Sequence, residues 1–449
     1  MKKNSALVKN KIYKFNKVIK IPPDKSTSLR ALILASQCIG ISRIKNLLES
    51  EDVLDCIRAL KKLGVKIIKK NSIYFVYGNG LNSFKIGKKI TKIFVGNSGT
   101  TARLLSGLLS TYPNKFYLYG DQSMNKRDMV RVIEPLKKVG CSFYPAKKKT
   151  LPLILEGTTM PLAQHHIESK GSAQVKSLIL LSALSTCGTT SVEERKISRN
   201  HTEIFLKKIN ADIKIKKLKN KNLISLKGKK NLHAFNYDVS ADPSSMAFIV
   251  ALTLLVSGSK TTIHNVLCNP TRIAFLKILK QKMKANIKIK NVKKIHGELI
   301  GSVIIKSSNL KSLNCPKEII PSIIDELPIL FVIASLTKGV SKFKSINEAT
   351  KKESNRIEEM KKLLTKAGIK CKSTSDTMTI YGASNINYNK KTIVTKTKGD
   401  HRICMSAAIL ALATGIKMKI KNFETVNTSF PNFIGLIKNL GGKIEIKKN

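Results

Sequence analysis

Six short stretches of small polar and charged residues each lead directly into a strongly apolar, helix-like run. We call them the helix openings: DKSTSLR from Asp24, GNSGTTAR from Gly96, GSAQVKS from Gly171, SADPSSM from Ser240, IIDELPI from Ile323 and KGDHRIC from Lys398. The start of a helix exposes backbone N–H groups and the positive end of the helix dipole, so each opening could bind an anion. If the openings converge, they predict one strongly anion-binding site.

The arginines point to the same chemistry. The chain has 82 lysines and arginines, of which only eleven are arginines, and more than half of these lie in or beside the helix openings. A guanidinium can hold a phosphate or carboxylate through two parallel hydrogen bonds, so arginines mark sites where lysine does not suffice. The candidate ligands of a multiply anionic substrate are Arg30, Arg103, Arg127, Arg356 and Arg402. Structural ion pairs suit Arg43, Arg58 and Arg195.

The helix openings recur at a nearly constant spacing. Dividing 449 residues by six gives about 75, a length typical of a repeated unit with two helices and a few strands. In each unit a lysine-rich amphipathic helix ends in a glycine- or alanine-containing stop, as in LKKLGVKI from Leu60, before further strands. The pattern predicts an α/β fold with six β-α-β-α-β-β units. The apolar first helix of each unit should be buried and the lysine-rich second helix exposed.

Length and composition predict two domains of three units each. A chain of 449 residues with 42% hydrophobic residues can bury two large cores. We place the first domain at residues 22–238 and the second at residues 1–21 and 239–449. No apolar run reaches the roughly 18 to 20 residues of a membrane span, and the N-terminus lacks the apolar stretch of a secretory signal. Eight scattered cysteines without metal-ligand spacing indicate reduced thiols in a cytoplasmic protein.

The formal net charge of +54 would ordinarily indicate nucleic-acid binding. The lysines, however, are spread through every unit together with abundant Asn and Ile, a composition that an AT-rich genome imposes on any protein. No zinc-finger pattern or basic stripe interleaved with aromatic residues accompanies them, and the chain has no tryptophan. We therefore expect no specific nucleic-acid partner.

Ten motifs resemble those of the 5-enolpyruvylshikimate-3-phosphate (EPSP) synthase family, the 3-phosphoshikimate 1-carboxyvinyltransferases. In chain order they are DKSTSLR, GNSGTTARLLSGLL, GDQSMNKRDMVRVIEPL, SAQVKSLILLSAL, SRNHTE, DPSSMAF, NPTR, IDELP, KKESNRIEEM and GDHRICMSAA. They run from about residue 20 to the C-terminus. The resemblance implies a two-domain α/β prism, an inside-out α/β barrel, with the active site in the interdomain cleft.

The family reaction transfers the enolpyruvyl group of phosphoenolpyruvate to the 5-hydroxyl of shikimate 3-phosphate and releases phosphate, a step towards chorismate and the aromatic amino acids. Cations and helix N-termini would hold the phosphates and carboxylates of both substrates together. A carboxylate base would deprotonate the hydroxyl while the methylene carbon of phosphoenolpyruvate is protonated. The resemblance implies no metal and no cofactor, and competition of the herbicide glyphosate with phosphoenolpyruvate. We expect a monomer whose partners are these two small molecules, with no membrane partner.

The resemblance assigns the site residues position by position. Shikimate 3-phosphate would be bound by Lys25, Ser26, Arg30, Ser172, Gln174, Ser198, Asp325 and Lys352. Phosphoenolpyruvate would be bound by Lys25, Asn97, Gly99, Arg103, Arg127, Gln174, Arg356 and Arg402. The catalytic residues would be Lys25, which assists proton transfer, Asp325, the base on the 5-hydroxyl, and Glu353, the proton donor and acceptor at the methylene carbon. For Asn97 and Ser198 a plain helix N-cap is the alternative.

Six positions depart from the family pattern. Pro23 replaces a glycine, Leu29 a polar residue and Asp128 a proline, Asn200 and Asn355 replace aspartates, and Thr428 stands where some members have a substrate-binding lysine. These departures concern local loop geometry and turnover. None of them removes a proposed proton-transfer residue.

Two other functions remain as alternatives. The UDP-N-acetylglucosamine enolpyruvyl transferases share the prism fold and the phosphoenolpyruvate chemistry, but they generally carry a reactive cysteine shortly before the arginine of a mobile loop. The equivalent stretch GDQSMNKRD from Gly120 has no cysteine, and Cys141 lies beyond it, after a helix stop, where a packed thiol is expected. The other alternative is a non-enzymatic anion or nucleic-acid binder. A phosphate-release assay with both acceptors separates all three.

Overall fold

The computed structural model describes residues 4–383 and 392–448, and the chain divides into two compact units. The first unit contains Lys25–Val239 and His296–Glu298, and the second contains Met1–Asp24, Ser240–Ile295 and Leu299–Asn449. The chain therefore passes into the first unit after Asp24 and leaves it after Val239. The short segment His296–Glu298, which the sequence placed in the second domain, groups with the first unit.

Strands and helices are numbered in chain order. The strands of the first half are β1 Asn4–Val8, β2 Asn16–Ile19, β3 Ile39–Lys45, β4 Lys66–Lys70, β5 Ile73–Asn79, β6 Thr91–Phe94, β7 Lys115–Tyr119, β8 Ser142–Tyr144, β9 Leu153–Glu156, β10 His165–Glu168, β11 Thr189–Glu194, β12 Asp212–Lys217, β13 Asn222–Lys227 and β14 Asn236–Asp238. Those of the second half are β15 Lys260–Leu267, β16 Asn286–Ile295, β17 Glu298–Lys306, β18 Gly339–Lys344, β19 Cys371–Ser373, β20 Thr377–Gly382, β21 Ile393–Lys396, β22 Met418–Lys421 and β23 Ile444–Lys448.

The helices up to residue 239 are α1 Lys25–Ala35, α2 Glu51–Lys62, α3 Gly99–Leu109, α4 Val130–Val139, α5 Ala173–Ala183 and α6 His201–Lys208. The later helices are α7 Pro243–Leu255, α8 Ala274–Lys282, α9 Ile320–Ile323, α10 Leu327–Ser335, α11 Arg356–Lys366, α12 His401–Thr414 and α13 Phe433–Asn439. Short 3-10 turns occur at Met124–Lys126, Lys317–Ile319, Asn347–Lys351 and Phe423–Thr428.

The described residues of the first unit form three four-stranded sheets, with strand orders β14-β3-β5-β4, β6-β7-β9-β8 and β10-β11-β13-β12. In each sheet the first two strands are parallel and the other neighbours are antiparallel. A parallel pair needs a crossover, which is the buried helix α3 between β6 and β7 and the buried helix α5 between β10 and β11, whereas antiparallel neighbours can be joined by a short turn. Strand β14 instead pairs with β3 from the far end of the unit. The β-α-β-α-β-β unit is therefore confirmed, and with it the predicted α/β fold class.

The second unit repeats this plan with strands from distant parts of the chain. Its described sheets have the orders β21-β22-β1-β23, β16-β17-β15-β2 and β18-β20-β19. Strand β1 pairs with both β22 and β23, and β2 pairs with β15. In the three-stranded sheet, a single parallel bridge between Asn314 and Lys342 stands where the fourth strand would lie.

The apolar helices form the centre of each unit. Helix α3 packs against α1 and α5 in the first unit, and α7, α10 and α12 pack against one another in the second. Almost every residue of these six helices is buried, as predicted for helices that are apolar on all sides. The lysine-rich helices expose one face, as at Lys61 and Lys62 of α2. No helix within residues 4–383 or 392–448 has the length and apolar character needed to cross a membrane.

The lysine-rich helices end at residues with positive φ. Gly64 after α2 has φ +85° and Gly140 after α4 has φ +111°, a conformation that glycine adopts without a steric penalty. The stops without glycine use the same geometry, since Asn210 has φ +69° and Lys284 has φ +60°. In these two stops the alanine that the pattern marked follows the positive-φ residue.

Candidate active site

The helix openings lie at helix starts, and four of them carry a side-chain cap. Ser98 and Ser172 accept the backbone N–H groups of Thr101 and Val175 at 3.1 and 3.3 Å. Asp242 and Asp400 do the same for Ser244 and Arg402, at 2.7 and 2.9 Å. Ser98 and Asn200 occupy the N-cap positions of α3 and α6. The N-cap alternative for Asn97 and Ser198 is therefore wrong.

In the first unit, four residues meet at the start of α3. Arg103 Nη1 donates to the Gly99 carbonyl at 3.1 Å and to Gln174 Oε1 at 2.7 Å. Gln174 Nε2 donates in turn to Thr100 Oγ1 at 2.8 Å. The structure thus brings together Gly99, Arg103 and Gln174, three of the residues that the sequence assigned to phosphoenolpyruvate. Thr100, which joins them, was missed although it lies within the GNSGTTAR opening.

Arg127 and Asn97 belong to the same cluster. Arg127 Nη2 donates to Asn97 Oδ1, and Asn97 Nδ2 donates to Asp121 Oδ2 at 2.6 Å. A Cβ placed on Gly99 would lie 2.5 Å from Arg103 Nη1 and 3.0 Å from Arg127 Nη1. Both guanidinium groups therefore face the first residue of α3, where the helix dipole is positive. We call Asn97, Gly99, Arg103, Asp121, Arg127 and Gln174 the arginine cluster.

Lys25 is the first residue of α1 and is held by an acid that the sequence did not single out. Its Nζ lies 2.9 Å from Asp52 Oδ2, and the Asp52 side chain is almost fully buried. Asp52 lies in the first turn of α2, where acidic residues are common because they stabilise the helix dipole, so the sequence did not mark it. The pair orients the ammonium group of the proposed catalytic lysine.

Arg30 is buried, and its guanidinium joins three helices of the first unit. Nε donates to Thr202 Oγ1 at 2.8 Å, Nη2 to Ser177 Oγ at 3.2 Å and Nη1 to the Ser26 carbonyl at 3.1 Å. Ser177 lies on α5 and Thr202 on α6. Arg30 therefore fixes the start of α1, which carries Lys25 and Ser26, against its neighbours.

Ser198 is bound by a buried carboxylate. Its backbone N–H and its hydroxyl donate to Glu194 Oε1 at 2.9 and 2.5 Å. The same carboxylate pairs with Lys176, whose Nζ also lies 2.7 Å from Glu203. Burial alone would lower the pKa of Lys176, but the two glutamates raise it above the usual value. This ion triad escaped the sequence analysis because Lys176 lies in an otherwise apolar run.

In the second unit, Asp325 lies between α9 and α10 beside three cations. Its Oδ1 is 3.2 Å from Lys352 Nζ and 3.4 Å from Arg356 Nη1. Arg402 Nη1 donates to the Asp325 backbone carbonyl at 2.8 Å. The side chain of Asp325 keeps 18% of its surface exposed, so it can reach a ligand.

Arg356 connects the remaining predicted residues of this unit. Its Nη2 is 2.5 Å from Glu353 Oε2 and its Nε is 2.8 Å from Asp400 Oδ2. Burial alone would lower the pKa of Arg356, but Asp400, Glu353 and Asp325 raise it, so the guanidinium stays charged. The structure thus brings together Asp325, Lys352, Glu353, Arg356 and Arg402, which we call the carboxylate cluster.

Another buried arginine, Arg272, lies close to this cluster. Arg272 Nη2 is 2.7 Å from Asp24 Oδ2 and 2.8 Å from Asp242 Oδ1. Burial, and then the neighbouring Asp24 carboxylate, raise the pKa of Asp242 above its usual range. The motif NPTR contained Arg272, but the two acids with which it pairs are far apart in the sequence, so its role was missed.

The departures from the family pattern have local roles. Asp128 Oδ1 accepts the Val130 N–H at 2.8 Å, at the start of α4. Asn355 Oδ1 accepts the Glu358 N–H at 3.2 Å and so caps α11. Thr428 is buried and donates to the Thr425 carbonyl at 2.7 Å. Its side chain is thus engaged within the second unit, unlike a lysine that reaches a substrate. Of the other three, Pro23 forms a β-bridge with Ala241, Leu29 lies in the core, and Asn200 is the N-cap residue of α6.

Cys141 is a buried thiol. Burial raises its pKa to about 12, and its Sγ lies 3.5 Å from the Ser110 carbonyl. These properties suit a packed residue rather than a nucleophile. Across residues 4–383 and 392–448, no group of three or more His, Cys, Asp or Glu side chains could hold a metal ion.

Comparison with known proteins gives the family. Residues 9–437 match the EPSP synthase (3-phosphoshikimate 1-carboxyvinyltransferase) family. The 3-phosphoshikimate 1-carboxyvinyltransferase of Ruthia magnifica subsp. Calyptogena magnifica is 38% identical over 428 residues, 95% of this chain and 96% of that protein. That of Caldicellulosiruptor saccharolyticus is 38% identical over 420 residues, 93% of this chain and 95% of that protein.

Solved structures agree with this assignment. The EPSP synthase of Acinetobacter baumannii matches with a TM-score of 0.84 at 33% identity, over 99% of this chain and 100% of that one. The enolpyruvyl transferase NikO of Streptomyces tendae matches over the full length of both chains with a TM-score of 0.76, but at 11% identity it supports only the fold. The chain therefore belongs to the EPSP synthase family, whose reaction is the enolpyruvyl transfer from phosphoenolpyruvate to shikimate 3-phosphate.

Proposed function

We propose that the arginine cluster and the carboxylate cluster bind and process the two substrates of the family reaction. The observation that carries the proposal is the approach of Arg103 and Arg127 to Gly99, at the positive end of α3. Two guanidinium groups beside a helix start match the charge and geometry of a phosphate. We assign this place to the phosphate of phosphoenolpyruvate, with Asn97 and Gln174 orienting the two arginines.

The carboxylate cluster supplies the proton chemistry of the proposal. Asp325, which lies beside Lys352 and Arg356, is the base that accepts the proton of the 5-hydroxyl. The hydroxyl oxygen then attacks the second carbon of phosphoenolpyruvate while the methylene carbon takes a proton from Glu353. Loss of phosphate, which carries away the proton held by Asp325, and return of a methyl proton to Glu353 restore the double bond in the product and the starting forms of both carboxyl groups. Lys25 assists proton transfer, and Arg356 and Arg402 stabilise the carboxylate of phosphoenolpyruvate.

Shikimate 3-phosphate is assigned to Lys25, Ser26, Ser172, Gln174, Asp325 and Lys352. Arg30 and Ser198 complete this set in a different way. Both donate to protein oxygens, from Arg30 to Thr202 and from Ser198 to Glu194. These contacts support an indirect role, in which Arg30 and Ser198 hold the segments that contact the ligand.

The monomeric state and the cytoplasmic location expected from the sequence also belong to the proposal. Analytical ultracentrifugation of the purified protein tests the first, since a monomer sediments as a species of 49.7 kDa. Cell fractionation with an antibody to the chain tests the second. A stable dimer, or recovery of the chain outside the cytoplasmic fraction, contradicts the respective expectation.

The decisive experiment measures phosphate release from phosphoenolpyruvate with each of two acceptors. We expect release with shikimate 3-phosphate and none with UDP-N-acetylglucosamine. Release with the nucleotide sugar alone indicates the other enolpyruvyl transferase, and no release with either indicates a binder. Complementation of an aromatic-amino-acid auxotroph that lacks this activity tests the same function in cells.

A further inference from the structure

Glu326 directly follows Asp325, yet the two carboxylates have different surroundings. The Glu326 side chain is only 3% exposed, whereas that of Asp325 is 18% exposed. Glu326 Oε1 accepts the Ser244 hydroxyl at 2.5 Å and lies 3.7 Å from Arg402 Nη1. Within the described residues, Glu326 Oε2 is buried without a hydrogen-bond partner. A buried, partly unsatisfied carboxylate destabilises a fold unless another interaction offsets the penalty.

The contacts of Arg402 suggest which interaction that is. Its Nη1 donates to the Asp325 carbonyl at 2.8 Å and faces Glu326 Oε1. One nitrogen of the guanidinium is thus held between the backbone of Asp325 and the carboxylate of the next residue. Because the guanidinium is planar and rigid, fixing one nitrogen also fixes the edge that it presents to a ligand.

Glu326 itself is anchored from the opposite side. Ser244 Oγ, which donates to Glu326, also lies 3.2 Å from Arg272 Nη2. Arg272 is held by its ion pairs with Asp24 and Asp242. A continuous series of buried contacts therefore leads from Arg272 through Ser244 and Glu326 to Arg402, all within the second unit.

We propose that Glu326 is a positioning residue for Arg402 and sets the affinity of the enzyme for phosphoenolpyruvate without touching it. Consecutive acids of the IDELP motif then have separate tasks: Asp325 acts on the substrate, and Glu326 holds the guanidinium that binds phosphoenolpyruvate. The inference rests on the proposed role of Arg402 as a phosphoenolpyruvate ligand.

The test is steady-state kinetics of Glu326→Gln with each substrate varied. The glutamine carbonyl can still accept the Ser244 hydroxyl, so the fold is kept while the charge facing Arg402 is lost. We expect KM for phosphoenolpyruvate to rise at least about tenfold, with KM for shikimate 3-phosphate within about twofold and thermal stability little changed. Ser244→Ala, which releases Glu326 from its anchor, should shift the same KM in the same direction. Glu358→Gln is the matched control, because the Glu358 side chain is 44% exposed and pairs with Lys362 at 3.2 Å.

Two further variants separate this inference from the proposed function. Arg402→Lys should itself raise KM for phosphoenolpyruvate, and an unchanged KM would overturn the role of Arg402 and the inference with it. If Arg402→Lys raises this KM but Glu326→Gln does not, the inference alone fails. The double variant Glu326→Gln/Arg402→Lys should match Arg402→Lys, because Glu326 then has no group to position. Effects that multiply in the double variant, or a loss of stability with unchanged kinetics, would overturn the positioning role.

Discussion

The ammonium group of Lys176 lies 2.6 Å from the carboxylate of Glu194, and both side chains are shielded from solvent. The Glu194 oxygen in this pair, Oε1, also accepts the hydroxyl of Ser198. A residue assigned to the shikimate 3-phosphate site is thus fixed by an ion pair in the interior of the first unit. Stability and substrate binding should therefore change together when the pair is broken.

Lys176→Met should destabilise the protein strongly. The substitution leaves Glu194 and Glu203 as neighbouring buried carboxylates without their cation, which costs about 3–5 kcal/mol of unfolding free energy. Because the folded-state pKa of Lys176 is raised, its contribution is complete at neutral pH and is lost only as the pH rises through that alkaline value. Urea unfolding gives the free energy, and KM for shikimate 3-phosphate should rise. Lys362→Met, on the exposed face of α11, is the control, and equal stability of the two variants would contradict the expectation.

Asp325→Ala should reduce turnover by at least about 100-fold, the usual effect of removing a general base. The KM values should not rise, because the variant removes one negative charge beside Lys352 and Arg356 and both substrates are anions. Phosphate-release kinetics measures both quantities. Glu445→Ala, which removes a surface carboxylate paired with Lys9, should behave as the unmodified enzyme. Near-normal turnover of Asp325→Ala would exclude Asp325 as the base.

Gly99→Ala should disturb the arginine cluster. The new methyl group would lie within 3.0 Å of one nitrogen of each guanidinium, so Arg103 and Arg127 must both shift. We expect KM for phosphoenolpyruvate to rise roughly tenfold and inhibition by glyphosate, which is slightly longer, to weaken further. Gly87→Ala is the matched control, since a Cβ there meets no atom within 4 Å. Equal weakening of both ligands would place the phosphate elsewhere.

The cysteines should differ sharply in their reaction with iodoacetamide. Burial raises the pKa values of Cys38, Cys141 and Cys404 to about 12, so only about one in 10⁴ of these thiols is ionised at pH 8. Cys187 is exposed and should be labelled first, without loss of activity. Peptide mass spectrometry follows each site, and urea-unfolded protein should be labelled at all eight. Rapid labelling of Cys141 with loss of turnover would favour a catalytic cysteine.

The repeated fold could be predicted because each unit carries a recognisable sequence pattern. An opening such as GNSGTTAR gives the helix start, the apolar run gives a buried helix, and a stop such as LKKVGCSF gives the turn into the next strand. These signals are local, and local geometry decides them. The pairing of strands from distant parts of the chain was not predicted in this detail. Nothing in the sequence of β14 indicates that it pairs with β3.

The site residues could be predicted only where they lie within a recognisable sequence motif. The arginine cluster lies in three motifs, and the structure joins it by short contacts such as that of Arg103 with Gln174. The supporting ion pairs connect residues far apart in the chain, as Arg272 does with Asp24. A buried acid and a surface acid look alike in a sequence, so Glu326 could not be distinguished from Asp325 before their surroundings were known.

The way in which strands are shared between distant segments determines the order in which a newly made chain can mature. Strand β14 completes the first sheet of the first unit, so nearly all of that unit has been synthesised once residue 239 has left the ribosome. In the second unit, Ser5 of β1 pairs with Lys421 and Lys447. Strand β1 therefore lacks its partner strands during most of translation, and its backbone groups can meet other strands and chaperones. Strand β1 is made before both strands with which it pairs, and we expect it to gain its structure only after residues 418–448 have been made.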